Sequence, residues 1–231
     1  MISRVTGSSA LVRAVPFVVF VGLTFFQDKF GDAGRYWFYL AKTLAGAGMI
    51  WAMRPFIEEM RWKFSWEAVA VGVGVFAMWV GIDSFYPKLD VLITKLGLGK
   101  AAAAQASWNP HEHFGQGATL AWFFIAVRIV GSSLVVPPLE EVFFRSLLYR
   151  YIVKQDFMAV PLSFFAWMPF LVASALFGLE HREWLAGILC GFAYQGLVCL
   201  KGRLGDAIVA HAITNLLLGV WVAWRGAWHF W

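Results

Sequence analysis

The chain has 231 residues, 60% of them hydrophobic and only 14% charged, with a mean hydropathy of +0.66. Soluble domains are about half apolar and about a quarter charged, so this balance excludes a soluble globular domain and predicts an all-α, polytopic integral membrane protein. The net charge of +5 is scattered between apolar segments rather than gathered in a basic run. That excludes a nucleic-acid partner, and basic loops beside membrane helices account for the sign. The length suits roughly six to eight spans of about 20 residues, read as a single membrane domain over 1–231 with the lipid bilayer as its surroundings.

The first apolar stretch covers residues 10–26, after a basic start with Arg4 and Arg13. Gln27-Asp28-Lys29 follows it instead of a small-x-small cleavage site, so it reads as a retained helix. The second stretch, 36–53, carries Ala45-Gly46-Ala47-Gly48, small residues that allow close helix packing. Arg54-Pro55 ends it, and the charged segment 57–63 reads as a loop or surface helix. The third stretch runs 66–82.

Residues 84–116 break the pattern and read as an extramembrane connection with an interfacial helix over 89–106. Arg54, Arg61 and Lys63 favour a cytoplasmic second loop and N-terminus, against Lys88, Lys95 and Lys100 on the next. His111-Glu112-His113 lacks the HExxH spacing that puts two histidines on one helical face, so it reads as a surface loop. The fourth stretch, 119–136, contains Arg128. Pro137-Pro138 is then expected to stop or kink the helix and start the motif helix, 139–153. Further stretches cover 158–177, 184–200 and 206–224. Asp206 reads as an N-terminal cap, and Trp221, Trp224, Trp228 and Trp231 as interfacial anchors. Cys190 and Cys199, nine apart on one helix, face opposite ways and do not pair.

Three polar clusters stand in this apolar setting. In Glu140-Glu141-x-x-x-Arg145, Glu141 and Arg145 are four apart and face each other, acid first, the better orientation for an ion pair. Glu140 is turned about 100° away. It is free to face a water-filled cavity as a general base, since an ionisable group at membrane depth is a functional candidate by default. The plainer alternative is that both acids cap the helix and pair with Arg145, Arg150 or Arg128. In Phe177-x-x-x-His181 the two rings share a helix face. In His211-x-x-x-Asn215 a neutral histidine donor beside an amide can bind an oxyanion, or the two can simply hydrogen-bond between helices. Ser132-Ser133 has no GxSxG context.

In that order, on three apolar segments, these motifs resemble the CAAX-protease and bacteriocin-processing family of intramembrane endopeptidases, which includes the Ras-converting CAAX endopeptidase. The resemblance covers about residues 130–218. It implies a bundle of about seven to eight helices enclosing a polar cavity, and a glutamate-dependent peptidase. By it, Glu140 and His181 activate water, His211 and Asn215 steady the oxyanion, and Glu141, Arg145 and Phe177 support them, with no cofactor. The chain looks like the compact bacterial members, which implies a bacterial plasma membrane. The substrate implied is a peptide or protein, lipid-modified or membrane-anchored. A zinc version would place the metal between Glu140, His181 and His211. A catalytically silent adaptor or bacteriocin-immunity protein is the non-enzymatic alternative. A proton-relay transporter using Glu140, His181 and Arg128 lacks the expected inverted repeat.

Overall fold

The computed structural model describes residues 5–99 and 108–231, and among them the backbone is helical with no strand. Helix α1 (Ser9–Thr24) starts where the Ser8 hydroxyl accepts the Leu11 N–H, and α2 is Gly31–Met53. Helix α3 (Trp66–Ile82) starts in the same way at Ser65, whose hydroxyl accepts the Ala68 N–H. After α4 (Leu89–Lys95) and α5 (Pro110–Phe114) come the long α6 (Thr119–Val153), then α7 (Trp167–Leu179), α8 (Trp184–Lys201) and α9 (Gly205–Arg225). By length and composition the run from α3 through α4 can cross a membrane, as can α6, α8 and α9, while α1 and α7 are shorter apolar helices. The expected polytopic helical bundle is what forms.

Helix α9 sits among α3, α6 and α8, and α7 lies along α8. In lipid, helices associate through close packing rather than through escape from water, so small residues mark the contacts. A Cβ on Gly72 would lie 2.6 Å from the Ala210 carbonyl oxygen, so α3 meets α9 only because that residue is glycine. A Cβ on Gly46 would lie 2.7 Å from the Val135 side chain, so α2 closes on α6 there, whereas Gly48 meets nothing within 4 Å.

Pro137-Pro138 does not end a helix. Helix α6 runs through both prolines, and π-helical turns at Gly131–Val135 and Val142–Leu148 flank them. The Val136 N–H reaches back five residues to the Gly131 carbonyl. This wider register leaves room for the proline rings, which would strike the carbonyls four residues back in a tight α-turn.

Several local expectations are also corrected. The segment 57–63 is a loop with one short turn, as expected, and Glu58, Arg61, Trp62 and Lys63 are exposed, but part of it is anchored inward. Ile57 and Met60 are buried, and Glu59 receives hydrogen bonds from Arg13 (2.8 Å), Arg150 (3.1 Å) and Ser146. Burial pushes the Glu59 carboxyl up, but Ser146 and Arg13 outweigh it and hold it below its ordinary range.

Helix α4 stops at Lys95, and Gly97 follows in the left-handed region (φ 69°). Residues 100–106 of the expected interfacial helix, Lys100 among them, lie outside the described residues, as does Arg4. His111 is no surface loop residue: it is buried in α5, edge-on to Trp122 (4.9 Å) and Trp228 (5.9 Å). Of the C-terminal tryptophans Trp224 is strongly exposed, while Trp231 folds back against Trp108. Asp206 does not cap α9, whose cap position is Leu204. It lies fully buried in the first turn, accepting the Ser65 hydroxyl and pairing with Arg203.

Candidate active site

Glu140 and Glu141 leave α6 about 100° apart and meet different surroundings. Glu141 is fully buried. Its Oε2 lies 3.2 Å from Arg145 Nε, an ion contact without hydrogen-bond alignment. Its Oε1 accepts the His211 Nδ1–H at 2.9 Å. Arg145 is itself buried, and its guanidinium lies 4.3 Å from the Phe177 ring centre. Such a cation–π contact is strongest when desolvated.

Glu140 instead lines a cavity of about 350 Å³, and its Oε2 has no hydrogen-bond partner among the described residues. The same cavity is lined by Phe177, His181, His211 and Asn215. The structure thus gathers Glu140, His181, His211 and Asn215 from α6, the end of α7 and α9, with Glu141 and Arg145 behind them.

The hydrogen bonds define what each histidine can do. His181 Nδ1–H donates to the Phe177 carbonyl at 2.9 Å. A carbonyl only accepts, so the Nε2 of the neutral ring is left as an acceptor. Burial pushes the His181 imidazolium down to about 4, which keeps the ring neutral at pH 7. Phe177 therefore holds Arg145 with its ring and His181 with its backbone.

His211 gives its Nδ1 proton to Glu141, and its Nε2 lies 3.9 Å from Glu140 Oε2. A neutral His211 consequently offers the cavity a lone pair, not a donor. This corrects the expectation of a neutral donor: Nε2 donates only when the ring carries a second proton, whose charge Glu140 and Glu141 flank.

Asn215 Nδ2 donates to the Ser132 carbonyl at 2.8 Å. An amide has two N–H groups, so one remains.

Two further residues brace the site without any sequence signal. Tyr194 on α8 stacks on His211 (5.0 Å between centres, 26° between planes). Its hydroxyl donates to Thr214 Oγ1 at 2.7 Å, and Thr214 bonds the Gly72 carbonyl at 2.9 Å. In the sequence Tyr194 is one aromatic among many, and only the fold shows that it supports His211. Among the described residues no group of three His, Cys, Asp or Glu side chains is arranged to hold a metal ion.

Residues 119–217 match the model of a family described as type II CAAX prenyl endopeptidase, Rce1-like. This stretch runs from α6 into α9 and holds every residue of the three motifs. The stretch is thus similar to a CAAX-protease-type domain, and four helices of the chain are long and apolar enough to cross a membrane. No match was found among curated proteins or solved structures.

Proposed function

We propose that the protein is a glutamate-dependent endopeptidase that hydrolyses a peptide bond within or beside the bilayer. One observation carries the reading: Glu140 stands in a polar cavity with an uncommitted carboxylate oxygen, while the adjacent Glu141 is held by Arg145 and His211. The family match supports the reaction class.

In the reaction, Glu140 takes a proton from water as the water oxygen attacks the scissile carbonyl carbon. The His181 Nε2 lone pair orients that water by accepting its other hydrogen. Negative charge develops on the carbonyl oxygen. The remaining Asn215 N–H donates to it, as does His211 Nε2–H when the ring is doubly protonated. Glu140 then returns its proton to the leaving amine as the C–N bond breaks. Losing one oxyanion donor typically costs about 10²–10³ in rate.

The substrate class is a membrane-anchored peptide or protein with or without a lipid modification, met in the plasma membrane of a bacterium. The test uses purified protein in detergent with prenylated and unprenylated membrane-anchored peptides. Wild type cleaves; Glu140→Gln, equally well folded, does not. Full activity in Glu140→Gln overturns the mechanism. A phenotype that survives Glu140→Gln and His211→Ala, with no cleavage by either protein, would instead identify an adaptor or immunity protein.

A further inference from the structure

On the other side of α6 from the catalytic cavity lies an apolar groove of about 560 Å³, between α2, the turns after it and the π segment Gly131–Val135. Trp62, Val130 and Leu134 also line a second groove of about 450 Å³ that continues it towards α9. All three side chains are largely exposed, so this trough faces the surroundings of the bundle.

The lining is aliphatic and aromatic except for Arg54 and Arg61. Both arginines are exposed and belong to the loop after α2, at one end of the trough. Among the described residues neither is ion-paired. Arg54 rests 5.5 Å from the Trp51 ring. Of the carboxylates in the same loop, the part-buried Glu59 is committed to Arg13 and Arg150, and the exposed Glu58 is not among the residues lining the trough.

An apolar trough ending in two guanidinium groups without carboxylates complements one kind of molecule: a long apolar chain joined to an anionic head. Guanidinium matches phosphate oxygens in a bidentate way. We propose that this trough holds an anionic phospholipid, its phosphate at Arg54 and Arg61 and an acyl chain along Val130 and Leu134. The proposal rests on membrane placement alone and does not depend on the peptidase reading.

Native mass spectrometry of the purified full chain, given equal phosphatidylglycerol and phosphatidylcholine, tests it. Wild type retains phosphatidylglycerol in preference, by about fivefold for each arginine. Arg54→Gln with Arg61→Gln brings the ratio close to one. Ala47 is exposed on the groove wall, so Ala47→Trp fills the space and lowers retention of both lipids. Thermal midpoints equal to wild type show that these variants are folded. Equal retention of the two lipids by wild type overturns the proposal, as does a preference that persists without the arginines. Displacement of bound lipid by a prenylated peptide, with no preference for the anionic head, would also overturn it and assign the trough to a substrate chain.

Discussion

The side-chain amide of Asn215 donates to the carbonyl of Ser132, five residues before Pro137. Helix α6 is in the five-residue register at this point, as the Val136-to-Gly131 bond shows. The next bond in that register would run from residue 137 to Ser132, and proline has no N–H to make it. Asn215 supplies the missing donor from α9. It thereby ties the motif helix to the helix carrying His211, and fixes where its second N–H lies.

Asn215→Ala is therefore expected to destabilise the fold as well as slow the reaction, because an unsatisfied buried acceptor costs about 1–3 kcal/mol. Pro137→Ala restores a backbone N–H. In that background Asn215→Ala should cost less stability, while activity stays low if the second N–H serves the oxyanion. Thermal unfolding of the four proteins in detergent reads the cycle. Equal losses in both backgrounds would show that the amide does not substitute for the proline.

The two neighbouring glutamates should separate cleanly by stability. Glu141→Gln breaks a fully buried ion contact and leaves the Arg145 guanidinium with the Phe177 and Phe144 rings. Losing one partner of a buried pair costs about 3–5 kcal/mol. Glu140→Gln alters a carboxyl group whose Oε2 accepts no hydrogen bond from the described residues, so stability should hold or rise. Denaturant unfolding of both variants checks this, and equal losses would contradict the division between a structural and a cavity carboxylate.

The legible parts of the fold were local. The apolar run marks α3 at Trp66–Ile82, as expected from the sequence. The four-residue spacings place Glu141 by Arg145 and Phe177 by His181, because each contact is local, the first within α6 and the second across the end of α7. The contact of His211 with Glu141 spans 70 positions and depends on α9 lying against α6, which no spacing reveals. Pro137-Pro138 reads as a break because the proline rule assumes α-register, and hydropathy carries no sign of a π turn. Glu59 reads as a surface acid among charged neighbours, since its partners Arg13 and Arg150 come from α1 and the end of α6.

The His181 ring gives a pH dependence of known sign. Burial holds its imidazolium near 4, below the ordinary 6.5. The unfolded chain takes up this proton as pH falls below about 6.5, and the folded protein resists until about 4. The contribution is full above that window and falls as pH drops through it. The thermal midpoint at pH 5 should lie below that at pH 7.5, and His181→Gln should flatten the difference. An unchanged slope in the variant would contradict the neutral, part-buried ring.

Metal dependence separates the water-activating glutamate from its zinc-bound rival. Activity is expected to survive prolonged dialysis against a chelator. Loss on chelation with recovery on adding one equivalent of zinc would instead place a metal among Glu140, His181 and His211.

The most direct measurement compares new protein termini in host membranes carrying wild type or Glu140→Gln at equal abundance. Termini that appear with wild type and vanish with the variant are expected, and they would also name the substrate. Identical termini in both membranes, in a host where the wild-type phenotype is present, would contradict a peptidase driven by Glu140.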